Sequence, residues 1–148
     1  MFNRETLTVF QFNHRVIGIN LEGITHEESL VSNETGGNCI NWILGHIIFN
    51  RDEIFTILGL PPDCNEKFSS LYSRGTKNIK AENAEKLETL LDKFNASQKK
   101  LEVGLSDADF SGNPEKLKSL AFYAFHEAYH AGQTGILRRI AGKEGAIK

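Results

Sequence analysis

The segment HEAYHAGQTGILRR occupies residues 126–139. On an α-helix, His126 and His130 at i and i+4 lie about 40° apart on one face, one turn apart along the axis. Two imidazoles so placed can grip one metal ion. H-E-x-x-H is also the pattern of helical zinc peptidases, where the glutamate acts as general base. That chemistry needs a third ligand. A metzincin would place glycine where Gln133 stands and a further histidine after it, and none follows. The only glutamate after His130 is Glu144, close to the end of the chain. The third ligand must therefore come from upstream. The rest of the chain also offers no strand against which a peptide substrate would pair, so the peptidase reading is set aside.

Two upstream histidines qualify. His46 lies within NCINWILGHIIFNRDE and shares a helical face with Cys39, Trp42, Phe49, Asn50, Glu53 and Ile57. Gly45 beside it permits close approach of a neighbouring group. His14 lies on a buried stripe of the first helix and is the rival, as ligand or as support for one. His26 falls in a capping turn and is expected to be exposed. Three neutral imidazoles would leave a position for water or substrate, as at catalytic zinc. Such a site is expected to lose affinity below about pH 6, because protons compete for each imidazole.

Other polar groups have duller explanations. Glu127 points away from the two histidines and reads as a solvated or interhelical glutamate. Gln133, one turn beyond His130, can bond a bound water, hold a ligand imidazole or fill a polar gap. Cys39 near a helix start could have a lowered pKa, but a buried thiol is the ordinary reading. Asn41 and Trp42 pack or cap, and Arg138 and Arg139 favour a helix C-terminus.

Four helical patterns must position these residues. The first spans about 4–21, with a stripe of Leu7, Phe10, His14, Ile17 and Leu21. Val9, Phe12, Val16 and Ile19 form a second stripe, so this helix is expected to be covered on more than one side. Thr25 and Glu28 have capping-box spacing and suggest a short extra turn. The second helix runs from about 38 to 58, with Gly59 as its stop. A long irregular segment follows through residues 60–79, too long for an idle linker. The third helix starts near 80 or 81 and ends near 104. Its seam is Ala84, Leu87, Leu91, Phe94, Gln98 and Leu101. The fourth starts after Asn113, an N-cap with Pro114 at the first helical position, and runs to about 141. Phe122, Tyr129, Gln133, Leu137 and Ile140 share the histidine face and are expected to point inward. Ala121, Ala124, Ala128, Ala131 and Gly135 form a small-residue ridge opposite. These elements read as an all-α four-helix bundle with a long crossover loop after helix two.

The 148 residues are expected to form one domain over 1–148. Net charge is −2 with no basic block, which argues against a nucleic-acid binder. No apolar run reaches membrane-span length, and the start MFNRETLTVF lacks the apolar core of a signal peptide. With two dissimilar cysteines, Cys39 and Cys64, this suggests free thiols and a cytoplasmic protein.

GGNCINWILGHIIFNRDE, followed about eighty residues later by HEAYHAGQTGILRRIAG, resembles the DinB-like (damage-inducible protein B-type) metal-binding bundle family. The resemblance covers essentially the whole chain. It implies an up-down-down-up four-helix bundle, often a homodimer, with three histidines holding a divalent metal. Carried over residue by residue, the ligands are His46, His126 and His130. Three imidazoles suit zinc, nickel, iron or copper; zinc or nickel is expected first, with iron, copper or manganese as further candidates. Some relatives are thiol S-transferases that use bacillithiol or mycothiol, and one is a mycothiol-dependent isomerase. The expected function is therefore that of a metal-dependent hydrolase or transferase, with a low-molecular-weight thiol among its small-molecule substrates. The alternative is a non-catalytic stress-response or binding module stabilised by its metal.

Overall fold

In the computed structural model, which describes residues 2–34, 36–76 and 79–147, every regular element is a helix. These are α1 (Phe2–Leu21), α2 (His26–Ser29), α3 (Ile40–Ile57), α4 (Glu66–Tyr72), α5 (Leu87–Asp107) and α6 (Pro114–Ile140). The caps follow local chemistry. Thr25 and Glu28 close the expected capping box on α2. Asn113 accepts from the Lys116 N–H at the start of α6, with Pro114 next. Gly59 and Gly142 take positive φ just beyond α3 and α6, where a Cβ would be strained.

α1 packs on α6 and α5, and α3 packs on α5 and α6. The cross-helix pairings give the directions. Asn13 reaches Ala124 and Asn20 reaches Ala131, so α1 and α6 run parallel. Asn41 meets Glu85 and Arg51 meets Ser97, so α3 and α5 run parallel. His14 stacks on Phe94 and Gln11 meets Glu102, so α1 and α5 are antiparallel.

The core is divided by height. One apolar cluster gathers Ile17, Ile43, Leu44, Leu90, Phe94 and Leu137 with their neighbours. The other gathers Phe10, Ile54, Phe55, Leu101, Leu105 and Leu120. Between them each long helix contributes polar residues at one level: Asn13 and His14, Arg51, Ser97 and Gln98, and Glu127. Arg51 is fully buried and uses all five of its N–H donors. Nε and one Nη2 N–H bond the two Glu127 oxygens at 3.0 and 2.9 Å. The other three go to Gln98 Oε1, Phe94 O and Ser97 Oγ at 2.8, 3.0 and 2.7 Å.

Three expectations are corrected here. First, the segment after α3 contains a helix, α4, capped by the Asn65 side chain on the Phe68 N–H. It buries Phe68 and Tyr72 at i and i+4. Second, α5 begins at Leu87 rather than 80 or 81 and continues to Asp107. Residues 80–86 are held in turns instead: Asn83 accepts from the Lys80 N–H, and the Glu85 N–H donates to the Tyr72 hydroxyl. Such side-chain bonds compete with helix propagation. Third, the second stripe of α1 is only partly covered: Val16 packs against the core and Ile19 is half-buried, whereas Phe12 is 61% exposed and Val9 39%. Arg138 also does more than neutralise a helix end. Its guanidinium bonds the carbonyls of Asn20 and Glu22, tying the end of α1 to the end of α6.

Candidate metal centre

α3 carries His46, and the antiparallel α6 carries His126 and His130. Their rings converge, with centroids 5.2 Å apart for His46–His126, 5.2 Å for His46–His130 and 4.5 Å for His126–His130. Among the described residues they form a group able to hold a metal ion, with one ligand nitrogen from each lying within 4.8 Å of the others. His126 Nε2 and His130 Nε2 are 3.2 Å apart. Two nitrogens bound tetrahedrally to one zinc would be about 3.3 Å apart. The α6 pair already stands at that spacing.

The outer ring nitrogens fix the tautomers. His46 Nδ1 donates to the Tyr72 carbonyl at 2.7 Å, leaving a lone pair on its Nε2. His130 Nδ1 donates to Gln133 Oε1 at 2.7 Å, with the same result. Gln133 is itself held by a bond from its Nε2 to the Tyr129 hydroxyl. Hydrogen bonds of this kind orient metal-binding histidines and raise their basicity towards the ion. Of the roles weighed for Gln133, the structure gives it the one that holds an imidazole, that of His130. With the His130 Nε2 lone pair so fixed, the 3.2 Å contact makes His126 Nε2 the donor to it, and a bound ion would take the place of that shared proton. The donor set fits a borderline-soft divalent metal.

All three imidazoles are biased towards the neutral form that binds metal. Burial lowers the pKa of His46, and His126 and Arg74 add to the effect while the Tyr72 carbonyl opposes it. Burial, followed by Arg74, lowers that of His126. His130 is lowered to about 4, chiefly by burial, against the Gln133 bond.

The walls differ in exposure. Trp42 stacks on His46 at 4.4 Å, and its Nε1 donates to Thr76 Oγ1 at 2.8 Å. Asn41 is buried, donates to the Glu85 carbonyl and accepts from the Tyr72 hydroxyl. On the other side, Phe122 stacks on His126 and Tyr129 meets His130 edge-on, and both are more than half exposed. The inward-pointing face expected for Phe122 and Tyr129 is therefore corrected: the histidines lie at the edge of the core, His126 half-buried, with an aromatic rim towards solvent.

Glu127 is 3% exposed and is locked to Arg51. It faces the polar layer and is not free to take up a proton from a water at the histidines. The interhelical reading of Glu127 holds, and the peptidase pattern HEAYH loses its base. His14 stands apart from the cluster, stacked on Phe94 at 4.5 Å with its buried Nδ1 unpaired. His26 is half-buried rather than exposed, and its Nδ1 accepts from the Leu87 N–H at the start of α5. Cys39 is buried at the N-cap of α3, and burial raises its pKa despite nearby N–H donors. Both cysteines are free.

Sequence reading did not identify the Tyr72 carbonyl or Thr76 as supports. Gly45 was the available signal. A Cβ there would overlap the Tyr72 ring, so glycine is what lets α4 reach His46. Gly45→Ala is expected to displace Tyr72 and its carbonyl and to weaken zinc binding about 10- to 100-fold. Calorimetric zinc titration of the variant checks this, and parent-like affinity would contradict it.

No protein-family model and no curated protein matches this chain. No helix among the described residues is long and apolar enough to cross a membrane.

Proposed function

We propose that His46, His126 and His130 bind one divalent metal ion, zinc or nickel first, and that the protein is a DinB-like metal-dependent transferase acting on small molecules in the cytoplasm. The observation that carries this reading is the convergence of three imidazoles, two of them with Nδ1 committed to an acceptor. The helix pairings support the up-down-down-up four-helix bundle that goes with it. A bound ion would supply Lewis acidity, lowering the pKa of a coordinated thiol or water. The protein holds the three imidazoles neutral, stacks Trp42 behind His46 and leaves a rim at Phe122 and Tyr129 for substrate. In the thiol transferase reading, the sulfur of a low-molecular-weight thiol forms a bond to an electrophilic carbon. The leaving group departs with the bonding pair, and the thiol proton passes to solvent. The half-exposed edge favours this over the alternative, a sealed metal that only stabilises a binding module. The test is a thiol-transfer screen on zinc- and nickel-loaded protein. Turnover that disappears with chelator and returns with metal is expected; metal uptake with no transfer to any electrophile would favour the module.

A homodimer belongs to the same proposal. The small-residue ridge of α6 is partly used within the chain, where Ala124 and Ala131 pack on α1. The parallel outer faces of α1 and α6 still expose Val9, Phe12, Phe125 and Ile136, with Ala128 and Gly132 between them. A strip of this kind is typical of a protein interface. Light scattering at micromolar concentration is expected to give the mass of two chains, and Phe125→Glu that of one. A monomeric parent would contradict the dimer.

A further inference from the structure

The turn Ser73-Arg74-Gly75-Thr76 is built onto the histidine cluster. The Thr76 N–H donates to Ser73 O at 3.3 Å, and Gly75 takes φ +83°, as the third residue of a type II turn requires. Both sides of the turn are anchored. Tyr72 O accepts from His46 Nδ1, and Thr76 Oγ1 accepts from the indole stacked on His46. Arg74 sits between these anchors, exposed, and makes no ion pair with any described residue.

The charge balance of the site gives this arginine a meaning. The ligand group contains no carboxylate, and the nearest acid on α6, Glu127, is neutralised by Arg51. Three neutral imidazoles holding a divalent ion, beside a guanidinium without an ion pair among the described residues, would make a mouth of strongly positive potential. Such a mouth draws in anions and repels cations. Guanidinium also presents a planar fork that matches a carboxylate or a phosphate.

We propose that Arg74 is the anion-recognition residue of the three-histidine site, and that its substrates are organic molecules carrying a carboxylate or phosphate beside the group that reaches the metal. This rests on the metal-site reading above. The probes are 3-mercaptopropionate and its neutral amide, 3-mercaptopropionamide, titrated into cobalt-loaded protein and followed by the visible spectrum. The carboxylate is expected to bind about fivefold more tightly than the amide, as one charge-assisted pair at a partly exposed site allows. In Arg74→Gln the ratio should fall to about one through loss of carboxylate affinity, with the amide unaffected, and Arg74→Lys should restore part of it. A parent that binds both thiols equally, or a ratio unchanged in Arg74→Gln, would overturn the role of Arg74 while leaving the metal site intact. Failure to take up cobalt, or a spectrum that responds to neither thiol, would overturn the underlying site reading and this inference with it.

Discussion

Replacing Glu127 by alanine is expected to cost about 3–5 kcal/mol of stability, enough to unfold much of the protein at 37 °C. The cause is what remains. Arg51 is fully buried, and two of its five N–H donors end on Glu127. Without the carboxylate, a buried cation loses its counter-charge and two acceptors at once. Glu127→Gln keeps an acceptor and loses the charge, so its cost should be smaller. The paired change Arg51→Met with Glu127→Leu should cost least, because neither charge is then buried. Urea denaturation of the four proteins provides the comparison. A Glu127→Ala protein within about 1 kcal/mol of the parent would mean that the pair is no more than a surface-type ion pair. Folded Glu127→Gln should bind zinc like the parent, since this glutamate supports the core and not the ion.

The second large effect concerns the histidines. If total metal binding is worth roughly 10 kcal/mol, each of three equal ligands carries about 3 kcal/mol, or about a hundredfold in affinity. His46→Ala, His126→Ala and His130→Ala should each lose that much. His14→Ala should bind like the parent, because His14 stacks on Phe94 away from the cluster. Gln133→Leu should fall between these, about 10-fold or more below the parent. Equal metal content in His46→Ala and the parent would mean that His46 is not a ligand. The pH dependence follows from the same residues. All three pKa values lie below the ordinary histidine value, with His130 near 4. Protons compete with the ion only where the metal-free site is protonated. Affinity should therefore hold to lower pH than the value near 6 expected for unperturbed histidines, and weaken as pH falls through the lowered values. The metal-free protein has a related sign. Between the lowered values and about 6.5 the unfolded chain binds more protons, so stability falls as pH falls through that window.

Much of this was legible in the residues. The i, i+4 spacing of His126 and His130 fixes their common face wherever the helix packs. The Thr25–Glu28 box and the Asn113-Pro114 start are local chemistry and appear as read. The misses involve partners distant in sequence. No local pattern says that Arg51 and Glu127 meet across two helices, or that the carbonyl of Tyr72 caps His46. α4 is only two turns long, so its Phe68–Tyr72 spacing is too brief to stand out within an irregular segment. The start of α5 was misplaced because Asn83 and Tyr72 hold the preceding residues in turns, an effect of tertiary packing on a run with helix-forming composition. Phe12 and Phe122 were assigned inward because periodicity reports an apolar face without saying what covers it.

Whether three imidazoles hold the metal can be read from X-ray absorption at the zinc edge of loaded protein. A first shell of nitrogen and oxygen at about 2.0–2.1 Å is expected, with outer-shell scattering from three imidazoles. His46→Ala should show two imidazoles. A first-shell sulfur at about 2.3 Å, or a parent spectrum with one imidazole or none, would contradict the three-histidine site.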